Sequence, residues 1–105
     1  MNNIYTPDNW IVFEAEVNGK TERFVLGGWS GGYLDGDSWR RNSGIERVED
    51  AGDILLFHGY SGSIYKCHKK TNVVRLNIVS IWSAMREHHG AREIKLDQIL
   101  KELKE

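Results

Sequence analysis

The residues of this sequence that could act as catalytic reagents are one cysteine and four histidines. Cys67 and His68 are adjacent in a segment that predicts a strand, so their side chains point to opposite faces and cannot form a nucleophile–base pair. His88 and His89 end a predicted helix, where favourable interaction with the helix dipole accounts for them. No zinc-protease motif, phosphate-binding loop, nucleophile elbow or dinucleotide fingerprint occurs. We therefore predict a protein that is not an enzyme, with no catalytic residues, no metal ligands and no cofactor.

Side chains suited to binding a ligand are concentrated in the glycine-rich stretch from Gly27 to Gly44. Aromatic rings and guanidinium groups stack on planar ligands, while arginine, asparagine and serine donate hydrogen bonds to phosphates or base edges. The predicted ligand-binding residues are Trp29, Tyr33, Trp39, Arg40, Arg41, Asn42 and Ser43.

Two other interpretations of these residues stay open. Tryptophan, tyrosine and arginine also dominate protein–protein hot spots, so the same surface could bind a protein. In a chain this small, some of the tryptophans must fill the core, and Arg40 or Arg41 could pair with Asp35 or Asp37. The residue types predict a binding surface without separating a small-molecule ligand from a protein partner.

Composition limits the classes of protein to which the chain can belong. It has 105 residues, 14 Lys+Arg against 15 Asp+Glu, and a net charge of −1, which argues against a nucleic-acid partner. The single cysteine excludes an intrachain disulfide and cysteine-based zinc frameworks. Without a membrane-length apolar run or a secretory leader pattern, we expect a cytoplasmic protein with no membrane partner. Four tryptophans at near-zero net charge lead us to expect a homodimer.

The dipeptide Asn18-Gly19 is the clearest local signal, because it suits the type I′ turn of a β-hairpin. A hairpin centred there pairs Phe13 with Phe24 on one face and Glu14 with Arg23 on the other, which matches aromatic with aromatic and acid with base. The predicted strands cover residues 10–17 and 20–27.

Residues 27–44 lose this periodicity, and their glycines predict either a long shaped loop or a pair of bulged strand ends. Helical periodicity begins at Asn77 and ends at Gly90. Asp97 is predicted to cap a terminal helix. Further strands are predicted at residues 45–48, 54–58 and 63–68, with shorter candidates at 73–76 and 92–96.

These elements predict an α+β fold in a single domain of residues 1–105. It consists of a four- to five-stranded antiparallel β-meander with one or two C-terminal helices packed on one face. Residues 1–76 are mainly strands and the glycine-rich stretch, and residues 77–105 are mainly helical. The predicted core contains Ile11, Phe13, Phe24, Leu26, Leu56, Tyr65, Ile78, Trp82 and Met85.

Three parts of the sequence carry a resemblance to a known family. They are Asn3–Trp10 (NIYTPDNW), Gly28–Gly44 (GWSGGYLDGDSWR, then NSG) and Ser61–Lys69. These segments resemble a family of short, functionally uncharacterised proteins from phages and marine metagenomes. The resemblance implies a small phage-type accessory protein, and it implies no particular activity.

The binding residues and the resemblance together predict non-enzymatic binding of a nucleotide-like or other planar anionic small molecule through the Trp/Arg/Gly-rich stretch. The alternative is a protein–protein adaptor or inhibitor that uses the same aromatic surface. The partner would be a small molecule or a host protein, met in the cytoplasm of the host cell if the protein is phage-encoded.

Overall fold

The structure, a computed structural model, describes residues 3–32 and 36–105. Within these ranges the chain forms eight strands and two α-helices, which confirms the predicted α+β class with helices at the C-terminal end. The elements are β1 (Ile4–Tyr5), β2 (Asn9–Val17), β3 (Lys20–Gly32), β4 (Gly36–Arg41), β5 (Ile45–Asp50), β6 (Ile54–Gly59), β7 (Ile64–His68), a 3-10 turn (Lys69–Thr71), α1 (Leu76–His89), β8 (Arg92–Ile94) and α2 (Leu96–Leu103).

The described strands are divided between two four-stranded sheets, where the sequence predicts one sheet of four or five strands. The outer sheet has the order β1-β7-β6-β5, and the central sheet has the order β4-β3-β2-β8. Neighbouring strands are antiparallel except β1 and β7, which are parallel. The meander is present as β5-β6-β7, but β1 and β8 are too short to be recognised from local periodicity.

The predicted hairpin is confirmed, since β2 and β3 pair in the expected register with Phe13 opposite Phe24 and Glu14 opposite Arg23. Asn18 and Gly19 connect the strands with φ angles of 52° and 78°. Both values lie in the left-handed region that a type I′ turn requires, and asparagine and glycine adopt this region most readily.

The central sheet separates two apolar clusters because successive side chains of β2 and β3 point to opposite faces. One cluster lies between the two sheets and is completed by α2: Trp10, Val12, Val25, Leu55, Phe57, Tyr65, Cys67, Ile94 and Ile99. The other lies between the central sheet and α1: Ile11, Phe13, Phe24, Leu26, Ile78, Trp82 and Ala91. The layers are therefore outer sheet, central sheet and α1.

Two of the predicted core positions differ from the structure. Leu55 and Phe57 point inward from β6, so Leu56 lies on the other face and is half-buried; the prediction for Leu56 is wrong by one step of strand alternation. Met85 is also half-buried, packed against the edge of the cluster beneath α1. The remaining predicted core residues are buried.

The helices begin and end close to their predicted bounds. Gly90 closes α1 with a φ angle of 61° and donates its backbone N–H to the Met85 carbonyl. The residue that caps α2 is Lys95, so the prediction that Asp97 caps it is wrong; Asp97 lies in the first turn, where its carboxylate accepts from the backbone N–H of Gln98. The short strand candidate at 92–96 is β8, whereas residues 73–75 lead into α1 without pairing as a strand.

Candidate ligand-binding groove

Strand β4 carries three of the predicted ligand-binding residues and divides them between its two faces. The prediction left open a loop or a pair of bulged strand ends, and the second alternative holds: β3 and β4 pair with a register shift between Trp29 and Gly32. Because strand side chains alternate, Trp39 and Arg41 lie on the α1 face and Arg40 lies on the face towards the outer sheet.

The two guanidinium groups show this division directly. The Arg41 Cζ lies 4.6 Å from the centroid of the Phe24 ring, which belongs to the cluster beneath α1. The Arg40 Cζ lies 4.6 Å from the centroid of the Tyr5 ring, which packs on the cluster between the sheets. Neither arginine forms an ion pair with a carboxylate in the described part of the chain.

A groove of about 630 Å³ lies on the α1 face, between the C-terminal half of α1 and the ends of β2, β3 and β4. Its volume is in the range of small-molecule sites. The lining residues are Phe13, Ala15, Glu16, Val17, Phe24, Trp39, Arg40, Arg41, Ile81, Ala84, Met85, His88 and His89.

The floor of the groove is aromatic. The rings of Phe13 and Phe24 are stacked with centroids 5.3 Å apart, and the centroid of the Trp82 ring of α1 lies 5.6 Å from that of Phe13. Trp39 stands at the rim with 47% of its surface exposed, a large fraction for a tryptophan. The groove therefore offers both a buried apolar floor and an accessible ring against which a planar molecule can stack.

The charged side chains of the groove are Arg41 and Glu16. The guanidinium of Arg41 lies on the groove side of β4, and Glu16 is a lining carboxylate. Arg40 is also a lining residue, but its guanidinium lies on the other face of the strand, over Tyr5. His88 and His89 add ring nitrogens from the last turn of α1. Clefts with low-dielectric walls concentrate the field of the charges that line them, so the Arg41 guanidinium favours an anionic group beside it.

The other predicted ligand-binding residues that the structure describes lie away from the groove. The indole Nε1 of Trp29 donates to the Thr6 carbonyl at 3.1 Å, and its ring meets Tyr5 edge-on. Asn42 is buried, and its Oδ1 accepts from the backbone N–H of Val25 at 2.9 Å. Ser43 shares a hydrogen bond with the Ser61 hydroxyl at 3.1 Å. Tyr33 lies outside the described residues.

Most of the groove was missed at the level of sequence because its walls come from elements distant along the chain. Residues of α1 and of the β2–β3 hairpin meet Trp39 and Arg41 only after the layers assemble. His88 and His89 were recognisable as residues of a helix end, and Ile81 and Met85 as one helical face. No local pattern indicates that this end of α1 stands over the hairpin.

The remaining candidate reagents offer no assembled chemistry in the described part of the chain. Cys67 is fully buried between the sheets, and burial raises the pKa of its thiol well above the ordinary value. Among residues 3–32 and 36–105, no cluster of three or more histidine, cysteine, aspartate or glutamate side chains could hold a metal ion.

Comparison with protein-family models, with curated proteins and with solved structures found no match to the chain. None of the described helices has the length and apolar character needed to cross a membrane.

Proposed function

We propose that the protein binds a planar anionic small molecule of the nucleotide type in this groove, without converting it chemically. The observation that carries the proposal is the meeting of Trp39 and Arg41 over the stacked Phe13–Phe24 floor in one concave site. The proposal keeps Trp39, Arg40 and Arg41 from the predicted set as lining residues. It assigns the anion to Arg41, whose guanidinium lies on the groove side of β4.

The two parts of such a ligand would use different groups. A planar ring would enter between the Trp39 indole and the apolar floor, where stacking on an aromatic side chain contributes about 1–3 kcal/mol. The anionic part would accept hydrogen bonds from the Arg41 guanidinium, which presents a rigid fork of donors. The contact with Phe24 holds the guanidinium in place before the ligand arrives, so less side-chain entropy is lost on binding.

A concave site favours a small molecule over the alternative, an adaptor or inhibitor that binds a host protein. Protein partners use flat or convex patches centred on exposed anchors, and Trp39 is such an anchor only at the rim. Asn42, a polar residue expected to contact a small ligand, is instead used within the fold: its Oδ1 accepts a hydrogen bond from the backbone N–H of Val25 in β3. The small-molecule proposal therefore depends on Arg41 and the histidines rather than on Asn42.

The resemblance to phage and metagenome proteins supports a small accessory protein acting in the cytoplasm of a host cell.

Calorimetric titration with AMP, GMP, CMP and UMP tests this proposal. We expect saturable binding of at least one nucleotide and much weaker binding of its nucleoside, which lacks the anion. Trp39→Ala and Arg41→Ala should each weaken binding about tenfold or more, and Arg41→Lys should restore little because a point charge cannot reproduce the fork.

Two matched arginine variants serve as controls. Arg47→Ala, on the exposed surface of β5, should leave affinity unchanged. Arg40→Ala should cost less affinity than Arg41→Ala, because the Arg40 guanidinium lies over Tyr5. Absence of saturable binding by all four nucleotides, or equal losses in all three arginine variants, would contradict the proposal.

A further inference from the structure

Strand β4 is the terminal strand of the central sheet, with β3 on one side and no described strand on the other. Asp37 to Arg41 are all exposed, and Trp39 is among the most exposed large apolar residues of the described chain. An edge strand with unpaired backbone groups is a template for pairing with another chain unless charge, proline or a covering element blocks it. No proline occurs in β4.

The direction of the free backbone groups follows from the register. Asn42 N–H donates to the Val25 carbonyl, and Leu26 lies opposite Arg41. In an antiparallel pair every second residue bonds to its neighbour, so Arg40 and Ser38 face β3. The N–H and C=O groups of Asp37, Trp39 and Arg41 therefore point away from the sheet.

We propose that a second copy of this chain pairs with β4 in antiparallel orientation about a two-fold axis at Trp39. In this register Arg41 lies opposite the partner's Asp37, and Asp37 lies opposite the partner's Arg41. The strand is thus complementary in charge to itself, with opposite charges facing one another on the same side of the sheet. The residues whose backbone groups point away from β3 then form three pairs across the axis, which are 37 with 41, 39 with 39, and 41 with 37. Because each such pair exchanges two bonds, they supply about six main-chain hydrogen bonds.

The paired copies form one continuous sheet, because antiparallel pairing about this axis joins the two central sheets edge to edge. Both α1 helices then lie on the same side of it, and the two Trp39 side chains meet at the axis. Since Trp39 also forms the rim of the groove, the partner's Trp39 stands beside the groove mouth. The pairing does not require the proposed ligand.

The free edge of the outer sheet provides a contrast. Strand β5 carries Glu46, Glu49 and Asp50 with one arginine, Arg47. Self-pairing of such a strand places acidic residues opposite one another or leaves them without basic partners, which disfavours it. Pairing of β4 with β5 would be heterologous and would extend into open chains rather than close as a dimer. Self-complementarity therefore selects the β4 edge and a two-fold dimer.

Sedimentation equilibrium of the wild-type protein and two charge variants tests the pairing. Asp37→Lys places lysine opposite Arg41, and Arg41→Glu places glutamate opposite Asp37, so each variant alone should dissociate at least about tenfold more readily than the wild type. An equimolar mixture of the two should associate again. In the mixed dimer the introduced lysine faces the introduced glutamate, and the unchanged Arg41 of one chain faces the unchanged Asp37 of the other. Arg47→Glu on β5 makes the same change of charge and should leave the dimer intact.

Three results would overturn the pairing. They are a monomer mass for the wild type at high micromolar concentration, growth beyond a dimer, and dissociation caused by Arg47→Glu but by neither β4 variant. Circular dichroism of each variant shows whether it is folded. If both variants are folded, the mixture tests the charge pairing directly. The sedimentation experiment contains no nucleotide, so a failure of pairing is distinguished from a failure of ligand binding.

Discussion

Two buried asparagines join the central sheet to the start of α1. Asn9 of β2 donates to the Asn77 Oδ1 at 3.0 Å, and Asn77 donates back to the Asn9 Oδ1 at 2.6 Å. The Asn9 amide also donates to the Val73 carbonyl. Buried amides left without partners cost free energy, so this reciprocal pair fixes where α1 crosses the sheet. That position in turn places the other end of α1 over the groove.

Gly28 is the position at which this arrangement is most sensitive to a single added atom. A Cβ there would lie 2.6 Å from the Asn77 Oδ1, closer than side-chain atoms approach one another. We expect Gly28→Ala to lower the free energy of unfolding by about 1–3 kcal/mol, measured by urea denaturation.

A double-mutant cycle with Asn77→Ala gives the control for this prediction. If the clash is with the Asn77 amide, Gly28→Ala should cost much less in the Asn77→Ala background. An equal loss of unfolding free energy in both backgrounds would show that the Asn77 side chain is not the reason why position 28 excludes a larger residue.

At the scale of single residues, the sequence identified residue types that are suited to binding, but it did not identify the face of the strand on which each one lies. Trp39 and Arg41 belong to the predicted binding set and line the groove. Asn42 belongs to the same set by residue type, yet its Oδ1 binds the backbone of β3. Residue type reports what a side chain can bind, whereas its strand neighbours decide which groups it meets.

At the scale of elements, the β2–β3 hairpin was predictable residue by residue because both its turn and its cross-strand pairs are local. We expect the double variant Asn18→Ala, Gly19→Val to lose about 1–3 kcal/mol, since both residues would be held at positive φ without a suitable side chain. The urea midpoint measures this loss. Asn18→Gly, which tolerates the same φ, should stay near the wild-type midpoint, and an unchanged midpoint in the double variant would contradict the turn assignment.

A second element-scale prediction concerns the attachment of α2. Arg23 of β3 donates to both carboxylate oxygens of Glu102, at 2.6 and 3.0 Å. The hydrogen bonds from Arg23, and then from Gln98, lower the pKa of the Glu102 carboxyl. A lowered folded-state pKa means that the carboxylate stabilises the fold above its ordinary pKa, and that this contribution is lost as pH falls through the folded value.

We therefore expect wild-type stability to fall more steeply between about pH 5 and pH 3 than that of Arg23→Gln, as followed by urea denaturation at each pH. Arg47→Gln is the matched control, because the ion pair of Arg47 with Glu49 is exposed to solvent. Parallel pH profiles for the wild type and Arg23→Gln would show that the Arg23–Glu102 pair contributes nothing to the attachment of α2.

At the scale of the whole molecule, prediction reached the α+β class but not the number of layers. Each local signal that indicated a strand was satisfied by either one sheet or two. The chain forms two because β2, β3 and β4 pair among themselves, and β5, β6 and β7 pair among themselves. The fourth strand of each sheet, β1 or β8, has three residues or fewer and pairs with a strand far away in the chain. The groove has the same origin, since α1 and the hairpin form its walls only in the assembled layers.

The central claim is that a planar anion binds on the α1 face at Trp39, and the indole N–H signals of the four tryptophans test it in one titration. In ¹⁵N-labelled protein titrated with whichever of AMP, GMP, CMP and UMP binds most tightly, the Trp39 signal should move and saturate. The signals of Trp10 and Trp29, whose Nε1 groups donate to the carbonyls of His68 and Thr6, should stay in place. No saturable movement at Trp39, or movement confined to Trp29 on the opposite face, would contradict the account.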